Sequence, residues 1–189
     1  MRAVVILGSR NPMGQTARAA GALAEGFESA GGQIERVFLP TLTIERCRQC
    51  DENGWGTCRS EGQCVIEDDF QGILEQIKDA EAAVFATPVY FGDLSESIRA
   101  FLDRMRRVSR HDAGKVGLEG KLAVGVCVAG GGGGGGPACA VSLEKVLRTT
   151  GFDVVDMVPA RRQNLDLKVT LLRTTGKWLA GQVTSGTGS

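Results

Sequence analysis

The sequence predicts an α/β fold, a doubly wound parallel sheet of five strands between two layers of helices. Three observations support this prediction. Short, continuously apolar segments alternate five times with segments of helix-forming residues. Strands without polar alternation are typical of a parallel sheet that is covered on both faces. The 189 residues are enough for one domain with its own core, and right-handed crossovers then give three layers, α/β/α.

The first part of the chain predicts strand, helix and strand. Residues 4–7 are a short β-branched run that ends at Gly8, which is typical of a buried strand. An alanine-rich helix covers residues 14–30, and two glycines stop it. Apolar residues at Ile34, Val37 and Leu39 predict the second strand.

The remaining elements follow the loop at residues 41–67. A helix begins at Asp68 and Asp69, whose charge suits a helix N-terminus, and its apolar face spans residues 70–77. Strands are predicted at 82–86, 122–128 and 154–158, and the helices that follow them pass through 98–105, 138–150 and 166–180. We predict a single domain over residues 1–182 with a cysteine-rich loop at 41–67, and a flexible tail over 183–189.

Composition limits the function classes. Lys plus Arg and Asp plus Glu number 22 each, so the formal charge is zero, which argues against nucleic-acid binding by phosphate neutralisation. No apolar run approaches the roughly 20 residues of a membrane span. The N-terminus runs into a glycine turn before a signal peptide could form, so we expect a cytoplasmic protein with reduced thiols.

Ligands in such sheets bind beyond the carboxyl ends of the strands, so the loops after strands one, three and four are informative. The first loop offers hydroxyl, guanidinium, amide and backbone N–H groups at a helix N-terminus, which favours a phosphate site. It has neither the glycine pattern of a dinucleotide site nor that of an NTPase loop. The alternative is a polar turn with a helix cap. The candidate residues are Ser9, Arg10, Asn11, Met13, Gly14, Gln15 and Thr16.

The other two loops suit a planar ring. The loop after strand three has two adjacent aromatic residues, which could flank a ring or pack in the core or at an interface; its candidates are Pro88, Val89, Tyr90, Phe91 and Gly92. Strand four ends in seven glycines, whose backbone N–H groups can approach a ligand closely. The alternative is a flexible linker. The candidates are Gly130, Gly131 and Gly132.

Four cysteines lie within the loop at 41–67, which is longer than an ordinary connection. They are Cys47, Cys50, Cys58 and Cys64. Four thiolates can hold an iron–sulfur cluster or tetrahedral zinc, although zinc sites often pair two Cys-x2-Cys units and this loop has one. Metal-free packing or reversible disulfides remain open.

Four further residues have simpler interpretations. Cys127 and Cys139 are expected to be buried small hydrophobes. The lone His111, in a basic stretch, is expected to be solvated. Trp55 could cover a cofactor, meet a neighbouring subunit or pack within the loop.

Together the three loops resemble those of the flavodoxin-like NAD(P)H-dependent FMN reductases, and more closely the iron–sulfur flavoprotein branch, over about residues 3–160. Ser9-Arg10 with Gly14-Gln15-Thr16 is similar to the family's phosphate loop, and Thr87-Pro88-Val89-Tyr90-Phe91 to its flavin loop. Cys64-Val65-Ile66-Glu67-Asp68-Asp69 resembles the end of the branch's cysteine pattern, but seven residues replace two between Cys50 and Cys58.

The resemblance implies a flavodoxin-like fold and noncovalent FMN, with NAD(P)H as electron donor and a small acceptor such as a quinone, a flavin or a metal ion. It implies a homodimer or homotetramer in which a neighbour's residues line the flavin pocket. No acid–base residue is required, because the cofactor carries the chemistry. The alternatives are an iron–sulfur electron carrier between protein partners, with a 4Fe–4S cluster on the cysteines, and a zinc-binding or thiol redox-sensing protein.

Overall fold

The computed structural model describes residues 1–186, which form one parallel five-stranded sheet with helices on both faces. The strands are β1 (Arg2–Leu7), β2 (Gln33–Phe38), β3 (Ala82–Pro88), β4 (Leu122–Ala129) and β5 (Asp153–Arg161). Their order is β2-β1-β3-β4-β5, and every neighbouring pair is parallel. This is a doubly wound order with its switch point between β1 and β3. The predicted fold class is therefore confirmed.

The helices within this range are α1 (Gln15–Ser29), α2 (Thr57–Ser60), α3 (Phe70–Asp79), α4 (Glu96–Val108), α5 (Asp112–Lys115), α6 (Gly136–Thr150) and α7 (Leu165–Gly186). Short 3-10 turns cover Leu39–Thr41 and Arg162–Asn164. Leu39, which was expected to end the second strand, therefore begins a turn. The sequence did not predict α2 and α5, because four residues are too few for a helical period to show.

Each face of the sheet has its own apolar core, because side chains alternate along a strand. Along β1, Val4 and Ile6 pack with the residues of α3, α4 and α6, whereas Val5 and Leu7 pack with α1 and α7. The residues from Ala3 to Leu7 are almost completely buried. Burial on both faces explains why the strand has no polar alternation.

Helices α1 and α7 pack very closely through two glycines. A Cβ atom at Gly26 would overlap the backbone of Arg173, and one at Gly176 would overlap the backbone carbonyl of Leu23. Backbone therefore meets backbone at this crossing. The two helices cover the same face of the sheet as one layer.

Helix α7 extends beyond the helix that the sequence predicts. It runs through residues 183–186, the first part of the expected flexible tail, and Val183 is buried there. The rest of that tail, residues 187–189, lies outside the described residues. Within the described part of the chain, no helix combines the length and the apolar character needed to cross a membrane.

Candidate functional site

A pocket of about 470 Å³ lies at the carboxyl ends of β1, β3 and β4, a size that is usual for a small-molecule site. The loops that the sequence singled out meet around it. Its lining consists of Ser9, Asn11, Gly14, Gln15, Thr16, Pro88, Val89, Tyr90, Val128, Ala129 and Gly130–Gly134. The structure thus brings together most of the predicted cofactor-binding residues.

The first loop presents the N-terminus of α1 to this pocket. Asn11 shapes the turn, because its carbonyl accepts a hydrogen bond from the Gly14 N–H (3.1 Å) and its Oδ1 accepts one from the Met13 N–H (2.9 Å). No side chain caps α1, and its first turn carries no acidic residue. The buried Oε1 of Gln15 has no hydrogen-bond partner. Uncapped N–H groups and the positive end of the helix dipole suit an anion.

The second loop is a tight turn that points its two aromatic side chains differently. Tyr90 and Asp93 exchange backbone hydrogen bonds of 2.9 Å, and φ is +51° at Phe91 and +80° at Gly92. Positive φ at both central positions is the mark of a type I′ turn. Tyr90 lines the pocket, whereas the side chain of Phe91 is fully exposed. A phenylalanine with positive φ is strained, which is frequent at functional sites.

The third loop is fixed against the second by close backbone contact. Gly135 has φ +79°, and a Cβ atom there would lie 2.5 Å from the Cα of Gly92. On the pocket side, a Cβ added at Gly130, Gly131 or Gly132 would meet nothing within 4 Å. The glycine run is therefore packed at its far end and open where a ligand would lie.

The start of α4 joins two strand ends below the pocket. Ser95 occupies the N-cap position of α4, but its Oγ donates to the carbonyl of Gly8 (2.9 Å) and makes no capping hydrogen bond to the described part of that helix. The Ser95 N–H donates to Oγ1 of Thr87 (3.1 Å). The ends of β1 and β3 are therefore held at a fixed distance from each other.

Four predicted residues do not line the pocket, and four others do. Arg10, Met13, Phe91 and Gly92 lie outside the lining, whereas Val128, Ala129, Gly133 and Gly134 belong to it. Because the glycines of this run are identical, the sequence could not predict at which of them the lining of the pocket ends. Met13 is 88% exposed.

A second cavity brings all four loop cysteines together. Cys47, Cys50, Cys58 and Cys64 line it, along with the side chains of Arg104 and Arg107. Its free space is about 20 Å³, room for about one water molecule. Cys58 is buried and Cys50 is exposed, and all four are free thiols.

The cavity suits some metal groups better than others. Within residues 1–186, no three His, Cys, Asp or Glu side chains lie close enough to hold a metal ion. A ready-made zinc site is therefore not part of the described arrangement. Four thiols on one cavity match the donor set of a 4Fe–4S cluster.

A buried ion pair ties the cysteine loop to α4. Arg104 donates from Nη1 to Oδ2 of Asp68 (2.6 Å) and from Nη2 to Oδ1 (3.0 Å), and both side chains are 1% exposed. The same guanidinium donates to the backbone carbonyls of Glu45 (3.1 Å) and Ile66 (3.3 Å). Both ends of the loop are thus fixed to one side chain.

The ion pair shifts the pKa of each partner. Burial by itself would raise the pKa of Asp68, but hydrogen bonds from Arg104 and from the N–H groups of Glu45 and Phe70 lower that pKa below its usual value. Burial by itself would lower the pKa of Arg104, but Asp68 and Cys64 raise it above its usual value. The pair is therefore charged at neutral pH.

The seven residues between Cys50 and Cys58 pack on the end of α4. Arg107 donates from Nη1 to the carbonyl of Gly54 (2.6 Å) and lies 4.8 Å from the centre of the Trp55 ring. The His111 ring meets Trp55 edge-on at 5.4 Å. The expectation that His111 is solvated is wrong, because its Nε2 is buried. Of the three alternatives for Trp55, the described contacts match packing of the loop against the core and the end of α4.

The expectation for the other two cysteines is confirmed. Cys127 and Cys139 are both fully buried. They lie in the core on the face of α3, α4 and α6 and not in the cysteine loop.

Comparison with known proteins shows which family and which relatives this chain matches. The model of the NADPH-dependent FMN reductase family matches residues 1–165. An iron–sulfur flavoprotein of Archaeoglobus fulgidus is 31% identical over 105 residues, which cover 56% of this chain and 46% of that protein. One of Methanocaldococcus jannaschii is 32% identical over 127 residues, covering 66% of this chain and 62% of that protein. The chain thus spans about half to three fifths of these curated relatives.

Solved structures show the same fold. A flavodoxin from the domain Archaea superposes with a TM-score of 0.63 at 15% identity, covering 97% of this chain and 99% of the other. At this identity the similarity concerns the fold alone.

Proposed function

Because the chain belongs to the NADPH-dependent FMN reductase family, we propose that it is an FMN-binding oxidoreductase. It passes electrons from NAD(P)H to a small acceptor such as a quinone, a free flavin or a metal ion. The observation that carries this proposal is the pocket in which the loops after β1, β3 and β4 meet. Beyond the family, the acceptor and the activity of the whole protein are proposals.

The pocket residues fit FMN by their chemistry. The uncapped N-terminus of α1, with the hydroxyls of Ser9 and Thr16, would hold the phosphate. Tyr90 and the open backbone of Gly130–Gly132 would hold the ring. Arg10, which was proposed for the phosphate, has less support because it does not line the pocket. FMN, when bound, would supply hydride acceptance and electron release.

The lining supports binding and not acid–base catalysis. Among the described residues that form the pocket there is no His, Asp, Glu, Lys or Cys. The protein would therefore bind and orient the cofactor and donate hydrogen bonds to it. This agrees with a chain that contains a single histidine, whose ring packs on Trp55.

A second candidate function is that of an iron–sulfur electron carrier between a protein partner and FMN. The observation that favours it is the cavity that all four loop cysteines share with two arginines. Curated relatives are named iron–sulfur flavoproteins. A zinc-binding role has less support, because no three of the described His, Cys, Asp or Glu side chains lie close enough to hold a metal ion. A thiol redox-sensing role stays a prediction.

The test is anaerobic purification followed by a visible spectrum, an FMN titration, and analysis of iron, sulfide and zinc. We expect a flavin spectrum and steady oxidation of NADH or NADPH with a quinone or free flavin. About four irons per chain, the content of one 4Fe–4S cluster, would favour the carrier. Failure to bind added FMN would refute both candidates.

We further propose a cytoplasmic homodimer or homotetramer. Leu167, Leu171 and Trp178 on α7 are between 45% and 60% exposed, and an apolar surface of this kind supports self-association. Sedimentation equilibrium checks it: a monomer at micromolar concentration would contradict the proposal.

A further inference from the structure

The wall of the cysteine cavity contains a buried cation with an unused donor. Arg104 is 1% exposed and lines the cavity with the four cysteines. Its Nη1 and Nη2 are occupied by Asp68 and by the carbonyls of Glu45 and Ile66. Its Nε is buried too, and it has no hydrogen-bond partner among residues 1–186. A buried N–H group without an acceptor is rare in folded proteins.

A metal cluster bound by the cysteines of this cavity would carry a net negative charge. Metal-bound cysteines are thiolates, and a 4Fe–4S cluster on four of them carries net negative charge with sulfur atoms that accept hydrogen bonds. A fixed guanidinium with a free N–H is a suitable partner for such a group, because hydrogen bonds between charged groups are the strong ones.

Arg107 differs from Arg104, although it lines the same cavity one helical turn further along α4. Its side chain is only half-buried, and its Nη1 donates to the carbonyl of Gly54. Its nearest ring is Trp55. Arg107 therefore holds the inserted residues, whereas Arg104 holds both ends of the loop and keeps one donor free.

On the basis of the cluster-binding form of the function proposed above, we propose that Arg104 is a positioning residue for a 4Fe–4S cluster. Its Nε–H donates a hydrogen bond to a sulfur of the bound cluster, and Asp68 holds the guanidinium in place. The four ligands are Cys47, Cys50, Cys58 and Cys64.

This role has a measurable consequence. Reduction adds a negative charge to the cluster, so a hydrogen bond and a nearby cation stabilise the reduced form and raise the reduction potential. Loss of the Arg104 side chain should lower that potential.

The test compares three variants with the wild type after anaerobic reconstitution with iron and sulfide. The double variant Arg104→Met/Asp68→Asn removes the pair together, because a single change would leave an unpaired buried charge. Arg107→Met is the matched control, and Arg104→Lys keeps a positive charge beside Asp68 but removes the Nε–H. The readouts are the midpoint potential from an EPR-monitored titration, iron and sulfide per chain, and FMN affinity as a check of folding.

We expect the double variant to favour the oxidised cluster at least tenfold relative to wild type, a fall of about 59 mV for one electron. Arg107→Met should shift the potential by less than a third of this. An unchanged potential in the double variant, or an equal shift in Arg107→Met, would overturn the role of Arg104. Should the double variant not bind FMN, Arg104→Lys decides: a potential below that of the wild type supports the role of the Nε–H, and an unchanged potential overturns it.

Measurements on the wild-type protein distinguish a failure of the Arg104 proposal from a failure of the proposed oxidoreductase function. If wild-type protein binds FMN and oxidises NAD(P)H but takes up no iron, the role of Arg104 is refuted and the oxidoreductase remains. If it binds iron but not FMN, the oxidoreductase fails, whereas the role of Arg104 still depends on the measured potentials.

Discussion

Gly14 stands at the N-terminus of α1, where the first loop faces the pocket. A Cβ atom there would lie 3.2 Å from the carbonyl oxygen of Asn11 and 3.3 Å from its Cβ. Asn11 orients this turn through the N–H groups of Met13 and Gly14. A side chain at residue 14 would therefore press on the loop that we assign to the phosphate of FMN.

We expect Gly14→Val to weaken FMN binding at least about tenfold, which corresponds to roughly 1.4 kcal/mol, because the branched side chain would displace Asn11 and crowd the phosphate. Fluorescence titration of apoprotein with FMN measures this. Gly21→Val in the same helix is the control, since a Cβ at residue 21 meets nothing within 4 Å. Equal affinities in both variants would contradict the assignment of the phosphate to this loop.

Single residues also mark the limit of prediction from sequence. Glycines, hydroxyls and aromatics beside strand ends were recognisable, because the type of residue suggests its chemistry. Arg104 was not recognisable as part of a site, since its partner Asp68 is 36 residues away and only the tertiary fold buries both. His111 was misjudged for the same reason, as the Trp55 ring that it meets comes from the inserted part of the loop.

At the level of elements, the crossing of α1 and α7 depends on the absence of side chains. Gly26 and Gly176 each face the backbone of the opposite helix. Alanine would favour each helix by its intrinsic propensity. The tertiary contact here outweighs that propensity.

Gly176→Ala should lower the free energy of unfolding by about 1–3 kcal/mol, because the added methyl group would force the two helices apart. Gly181→Ala, in the same helix but with nothing within 4 Å of the added Cβ, should be neutral or stabilising by up to about 1 kcal/mol. Urea unfolding followed by circular dichroism compares them. The close-packing explanation would be wrong if both variants were equally stable.

Elements differed in how well the sequence predicted them. The central strands β1, β3 and β4 were found because burial on both faces makes them almost continuously apolar. The edge strands β2 and β5 contain exposed polar residues and were found from their remaining apolar positions. The end of α7 was missed, because glycine, serine and threonine at residues 181–186 favour a tail locally, whereas Val183 is held in the core by α1 and the sheet. At the end of α7, tertiary packing therefore outweighs the local preference of these residues for an irregular tail.

In the molecule as a whole, α4 connects the two sites. Its first residues lie beside the Ser95 contact with the carbonyl of Gly8, and Arg104 and Arg107 lie in its second half at the cysteine cavity. The Asp68–Arg104 pair is the main charged contact between that helix and the loop. The stability of this arrangement should depend on the charge of Asp68.

We expect acid to weaken the fold partly through Asp68. The native pKa of Asp68 lies below its usual value of 3.8, so the unfolded chain binds the proton more readily. Its stabilising contribution is therefore complete above about pH 5 and is lost as the pH falls through the native pKa. Urea unfolding from pH 7 to pH 3 should show a shallower loss of stability in Arg104→Met/Asp68→Asn than in wild type.

The control for this pH dependence is Asp166→Asn. Asp166 pairs with Arg18 at the surface and is 89% exposed, and such pairs contribute little. This variant should follow the wild-type pH profile. A double variant that loses stability as steeply as wild type would show that the buried pair does not contribute to acid sensitivity.

The whole fold was predictable, but the relation between its two sites was not. The parallel sheet in three layers followed from the alternation of strands and helices and from crossover handedness. The observed order β2-β1-β3-β4-β5 agrees with the flavodoxin-like fold that the resemblance implies. The common cavity of the cysteines depends on how the loop folds over α4, and on the Arg107 and Trp55 contacts that hold the seven residues between Cys50 and Cys58. Contacts between residues that are far apart in the sequence leave no local pattern from which a single sequence could predict them.

The match to the family and the folded domain end at different residues of this chain, because α7 packs beside α1. Similarity to the family ends at residue 165, exactly where α7 begins. A fragment cut at that point would keep every residue of both sites, yet it would leave the apolar side of α1, including Leu23 and Phe27, without the helix that packs beside it. Such a fragment should aggregate on expression, so the extent of sequence similarity is a poor guide for truncating this protein.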